Sequence, residues 1–141
     1  MWRRILVPSN ISLNNLAFAL NLSMGWKNCH LYIFHLGEDE CGDIEYDEEG
    51  TWRNDREKKI SEVVRDFKMF LYIYDFGDGW QHEVRFEKEL PVDPQEKYPK
   101  CIDGANACPP EDCGGIGGFD EYKAAIAHKS HPRHRELLEW G

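Results

Sequence analysis

Residues 72–84 read YIYDFGDGWQHEV, and the way this stretch folds decides the rest of the chain. Tyr72 and Tyr74 alternate with Ile73 into the run DFGDG, residues 75–79. Trp80, His82 and Val84 then alternate with Gln81 and Glu83 out of it. Period-two alternation on both sides of a glycine-rich turn predicts an antiparallel hairpin, with Gly77 and Gly79 free to take positive φ. On the first strand, residues 68–74, Met69, Leu71 and Ile73 share one face and Phe70, Tyr72 and Tyr74 the other. On the second, residues 80–87, Trp80, His82, Val84 and Phe86 oppose Gln81, Glu83, Arg85 and Glu87, so one face meets solvent. Tyr72, Tyr74 and Trp80 read as core aromatics whose polar tips are satisfied at an edge. Asp75 and Asp78 suit bonds to the turn's own N–H groups, and equally suit metal ligation or acid–base work.

Working towards the N-terminus, residues 60–67 carry Ile60, Val63, Val64 and Phe67 at helical spacing and predict a short helix. Residues 38–49 (EDECGDIEYDEE) concentrate the acidity of the chain and read as a solvated loop. Residues 30–36 (HLYIFHL) are apolar on both faces and predict an inner strand. Before them, Leu13, Leu16, Ala17, Leu20 and Met24 repeat at helical spacing, with Ser12 as cap and Gly25 as closing residue. WRRILV, residues 2–7, predicts a strand that Pro8 ends.

Towards the C-terminus, residues 90–118 read as one long loop rich in Gly, Pro and Cys. Loops of that length in a compact domain are functional or internally stapled. Cys101, Cys108 and Cys113 lie in it with spacings C-x6-C and C-x4-C, longer than the pairs usual in structural zinc sites. A zinc site built from them needs a fourth ligand, and His82, Asp78 and Asp75 on the hairpin are the candidates. Buried apolar thiols are the alternative. Gly114, Gly115, Gly117 and Gly118 precede a helix over residues 119–127; without a Walker lysine they predict a turn and cap rather than a phosphate cradle. A last helix is expected from Pro132 to Trp140. His128, His131 and His134 read as surface or capping histidines, because Pro132 interrupts their helix.

The chain has 141 residues, 41% of them hydrophobic, and a net charge of −9. That is enough for a single core and places the chain among globular proteins. The acidic balance disfavours nonspecific nucleic-acid binding. No apolar run is long enough for a transmembrane helix. Five cysteines with no secretion signal suit reduced thiols or a metal in the cytoplasm.

The hairpin stretch, together with YPKCIDGANACPPEDCGGIGGFDEY over residues 98–122, resembles the plasmid pRiA4b Orf-3-like family. WRRILVP, LNNLAFALNLSMGWKNCHLYIF and HPRHRELLEWG fit the same pattern, so the resemblance covers nearly the whole chain. Members are also labelled insertion-element passenger proteins of a TnpR type. The resemblance implies one α+β domain over residues 1–141: a mixed or antiparallel sheet with the DFGDGW hairpin at its centre, helices on one side, and the long Cys/Gly/Pro-rich loop. It implies no established activity. Relative to the family pattern the chain is expected to be shortened at both ends, which leaves the Trp2 strand open to pairing and to self-association.

The functional expectation is a non-catalytic binding or interaction module. Its pocket lies between the hairpin and the PPEDCGG loop, lined by Tyr74, Asp75, Asp78, Trp80, His82, Glu111 and Asp112, and takes a protein or small ligand. The metal set, if zinc is held, is His82, Cys101, Cys108 and Cys113. A metal-dependent enzyme acting on nucleic acid, or a DNA-associated accessory factor of a mobile element, are the competing readings.

Overall fold

The computed structural model describes residues 1–141. Its chain order is β1 (Trp2–Leu6), α1 (Leu13–Met24), β2 (Tyr32–Leu36), β3 (Asp39–Gly42), β4 (Arg53–Asn54), α2 (Ile60–Asp66), β5 (Met69–Tyr74), β6 (Trp80–Arg85), β7 (Lys100–Ala105), α3 (Gly115–Ala127) and α4 (His134–Trp140). The architecture is α+β. A mixed five-stranded sheet has the order β4-β3-β2-β5-β6, and β1 and β7 form a separate antiparallel pair.

The hairpin forms as its alternation dictates. Met69 pairs with Arg85 and Tyr74 with Trp80, and every residue between follows in register. Phe70, Tyr72 and Tyr74 are buried, while Met69 and Leu71 are exposed. The buried face shares one core with Leu13, Leu16 and Ala17 of α1, Ile60 and Val63 of α2, and Phe34 and Leu36 of the neighbouring strand β2. Burying a large side chain of this kind contributes about 1.5–3 kcal/mol. β2 is the inner strand, antiparallel to both β3 and β5. The hairpin therefore lies to one side of the sheet with β6 as an edge, not at its centre. Its turn uses Asp75 (φ 57°) and Gly79 (φ 68°) as the left-handed residues, and Gly77 is not one of them.

Helix α1 starts and stops at the expected signals. The Ser12 side chain accepts from Asn15 N–H, and Gly25 closes the helix at φ 89°. Three expectations are corrected. The acidic stretch is not only a loop, because β3 and a single 3-10 turn (Ile44–Tyr46) fall within it. Cys41 is 1% exposed there and anchors β3 to the core. Within the long loop, β7 pairs with β1 from Trp2↔Ala105 to Leu6↔Lys100, through a bulge at Arg4/Ile5. The Trp2 strand thus has its partner inside the chain. Finally, α3 begins at Gly115, inside the glycine run, and α4 begins at His134.

One partly buried polar chain links α1, β2 and the segment after β4. Asn14 donates to the Tyr32 hydroxyl, which donates to Asp55 Oδ2 at 2.5 Å. Asp55 is fully buried, and burial raises its pKa. No helix is long and apolar enough to cross a membrane.

Candidate functional site

The PPEDCGG loop docks through three bonds between residues far apart in sequence, two of them to the hairpin and one to Trp26. Trp26 follows the closing Gly25 and is 3% exposed. Its indole N–H donates to the Pro109 carbonyl at 2.9 Å. Its ring stacks on Tyr74 with centroids 5.0 Å apart and meets His82 edge-on at 5.3 Å. The Tyr74 hydroxyl donates to Glu111 Oε1 at 2.6 Å, and Gly114 N–H donates to Asp78 Oδ2 at 3.2 Å. Burial, then the Glu111 contact, raises the Tyr74 pKa.

The approach is close enough to need glycine. Gly115 holds φ +67°, and a Cβ there would lie 2.8 Å from the Asp78 carbonyl oxygen. Any side chain at this position would push α3 off the turn.

Around His30, at the mouth of β2, this docking gathers a set of donor groups. His30 Nε2 lies 3.1 Å from Asp112 Oδ1 and 3.8 Å from Asp75 Oδ2. Asp75 is itself 8% exposed. Its other oxygen accepts from the Gly77 and Asp78 N–H groups at 2.9 and 3.3 Å, so the turn holds the carboxylate in place. Beside them Cys29 Sγ donates to Glu111 Oε2 at 3.5 Å. Desolvation and the Glu111 carboxylate raise the Cys29 thiol pKa. Two overlapping groups result, Cys29–His30–Glu111 and His30–Asp75–Asp112, each with ligand atoms within 4.8 Å of one another. His30 Nε2 is sealed from solvent yet has no hydrogen-bond partner. Asn28, Asp75 and Asp112, flanking or within these groups, hold left-handed φ of 57–59°. Asn and Asp adopt that conformation more readily than other side chains.

Of the residues the sequence singles out, Tyr74, Asp75, Asp78, Glu111 and Asp112 take part in the loop contacts or the group around His30, while Trp80 and His82 pack on Trp26. His82 belongs to its core side: it contacts the Tyr72 carbonyl through Nδ1 at 3.2 Å and packs on Tyr72 and Trp26. The set His82, Cys101, Cys108 and Cys113 does not gather into a ligand group. The β1–β7 ladder carries Cys101 away opposite Ile5. Cys108 Sγ sits 3.2 Å from Met24 Sδ and accepts from Arg3, and Cys113 turns to the Gly115 carbonyl. The C-terminal histidines cap and brace, with His134 Nδ1 2.7 Å from the Ala125 carbonyl and His131 Nδ1 accepting from Arg133 N–H. Trp26, Cys29 and His30 were not singled out. Their signal is local: a tryptophan directly after a helix-closing glycine, and two adjacent ligand-type residues at the mouth of an inner strand.

A family model described as plasmid pRiA4b ORF-3-like protein matches residues 1–141. The chain belongs to the pRiA4b ORF-3-like family. An uncharacterized protein, y4hQ of Sinorhizobium fredii (strain NBRC 101917 / NGR234), is 39% identical over 147 residues, covering 98% of this chain and 72% of that one. The crystal structure of a protein of unknown function, MM3350 from Methanosarcina mazei Go1, superimposes with a TM-score of 0.85 at 33% identity. The match covers 99% of this pRiA4b ORF-3-like chain and 80% of that chain.

One pH effect follows from the packing of His82. Burial lowers its pKa below the ordinary 6.5, and its backbone bonds offset this only in part. The unfolded chain then takes up the proton first, so this contribution is fully present above pH 6.5 and is lost as pH falls below it. Replacing His82 by Phe is expected to flatten the fall in urea midpoint between about pH 7.5 and 5. Equal slopes in the two proteins would contradict this.

Proposed function

We propose that this pRiA4b ORF-3-like protein is a binding module whose site is the hairpin–loop junction and whose ligand is cationic. One observation carries the reading. Asp75, Glu111 and Asp112 converge from two segments on one imidazole, and Asp75 and Asp112 have only His30 as an ion-pair partner. Carboxylates crowded together without a cation repel one another, and a bound positive charge relieves that cost. Two open hollows lie elsewhere, one lined by Arg3, Cys101, Asp103 and Asn106, the other by Pro8, Ile11, Phe18 and Lys59. On this reading the cationic ligand is held by charge.

The net charge of −9 and this acidic junction both oppose a phosphate backbone. A TnpR-type passenger or DNA-associated role in a mobile element is accordingly the weaker reading, as is an enzyme acting on nucleic acid. Five unpaired thiols suit a reducing compartment, and we place the protein in the cytoplasm.

The test is a titration of the full chain with Mg²⁺, Zn²⁺, spermidine and a tetralysine peptide, followed by tryptophan fluorescence. Trp26 stands against Tyr74 and reports on the junction. At least one cation is expected to give a saturable change. The triple variant Asp75→Asn/Glu111→Gln/Asp112→Asn is expected to bind it more than about tenfold more weakly, because each carboxylate contributes on the order of 1 kcal/mol or more at contact distance. No response to any cation, or equal binding by the triple variant, would refute the reading.

A further inference from the structure

The imidazole at the middle of the junction narrows the ligand further. Magnesium and calcium take oxygen ligands, and a polyamine is held by carboxylates alone, so neither has a use for an imidazole nitrogen. His30 Nε2 is buried, has no hydrogen-bond partner, and is flanked by two carboxylate oxygens at 3.1 and 3.8 Å. Ligand atoms around a tetrahedral zinc, at bonds of 2.0–2.2 Å to nitrogen and oxygen, stand about 3.3–3.6 Å apart. The observed separations bracket that edge length. Two of the three groups are held in place. Asp75 is oriented by two backbone N–H bonds, and the His30 ring packs edge-on against Tyr74 with centroids 5.8 Å apart. On the far side, Cys29 and Glu111 form with His30 a second group of sulfur, nitrogen and oxygen donors, a combination that favours zinc over the hard cations.

We propose that His30 Nε2, Asp75 Oδ2 and Asp112 Oδ1 form a three-ligand zinc site whose remaining position opens towards the Cys29–Glu111 pair. This rests on the cation-binding reading and specifies its ligand. It is a different site from the cysteine set of the long loop, and its residues come from β2's mouth, the hairpin turn and the PPEDCGG loop. Zinc would then fasten the loop to the hairpin by bonds that the Trp26, Tyr74 and Asp78 contacts already align.

Equilibrium dialysis of the tag-free full chain against buffered zinc, with the metal counted by elemental analysis, tests this. One zinc per chain is expected. His30→Ala is expected to weaken binding more than about 100-fold and Asp112→Asn by about tenfold or more, since loss of even an orienting partner typically costs 10–100-fold. Asp112 lies at the exposed rim of the site, its side chain 68% accessible, so Asp112→Asn keeps the comparison valid should His30→Ala disturb folding. Cys101→Ser is expected to bind zinc as the parent chain does. Zinc binding that survives both His30→Ala and Asp112→Asn, or that disappears with Cys101→Ser, would overturn the site. A chain that takes up no zinc but binds spermidine through the same carboxylates would overturn the metal and leave the cation-binding reading standing. A chain that binds no cation would overturn both.

Discussion

Replacing Trp26 by Ala is expected to lower unfolding free energy by about 3–5 kcal/mol, the range typical of a buried tryptophan. The expected loss is at the high end because Trp26 does two things. Its ring fills the space between Tyr74, Trp80 and His82. Its N–H satisfies the Pro109 carbonyl, the first residue of the docked loop. Trp26→Phe separates the two. It keeps most of the apolar area but leaves that carbonyl without its donor, which costs about 1–3 kcal/mol if the group stays buried. Urea unfolding of the three proteins measures both. A Trp26→Ala variant within about 1 kcal/mol of the parent would mean the loop is not held by this residue.

The second large effect is expected at Asn21, a polar residue inside helix α1 that is fully buried. Its Oδ1 accepts from the Tyr72 hydroxyl at 2.9 Å, and its Nδ2 donates to Asn28 Oδ1 at 2.6 Å. Asn28 holds the left-handed turn that delivers Cys29 and His30 to the site. Asn21→Leu keeps the branched shape, with some added bulk, and strands the Tyr72 hydroxyl in the core, at a cost of about 1–3 kcal/mol. Tyr72→Phe alone strands Asn21 Oδ1 instead. The double variant removes both orphaned groups, so it is expected to be less destabilised than the sum of the two by at least about 1 kcal/mol. Strict additivity in the double-mutant cycle would contradict the pairing.

These two residues show where sequence reading ran out. The hairpin, α1 and the inner strand were legible because each carries its own periodicity and its own stop signal. β7 was not: all but one of its residues are exposed, so no alternation marks it, and Asp103-Gly104 sits in its middle. It exists because β1 supplies the ladder. β4 is two residues long and parallel to β3, below the length at which any pattern is visible. The docking of the PPEDCGG loop on the turn was legible from its length and composition, and so were Asp75, Glu111 and Asp112. The centre of the site was not. Cys29 meets Glu111, and His30 meets Asp75 and Asp112, only after the fold brings three distant segments together. The clustering of cysteines pointed instead to a set that includes Cys101, which β-ladder pairing takes elsewhere. Asn21 shows the same effect: a polar residue in an apolar helix face has no evident meaning until Tyr72 is opposite it.

The central claim is that loop, turn and strand mouth make one cation-dependent unit. Hydrogen exchange of the full chain, with and without saturating zinc, tests it most directly. The expected result is slower exchange, on zinc addition, in peptides covering residues 26–31, 74–79 and 108–114 together, with β1 and β7 unchanged. Unchanged exchange in all three segments, or protection confined to residues 100–105, would contradict it.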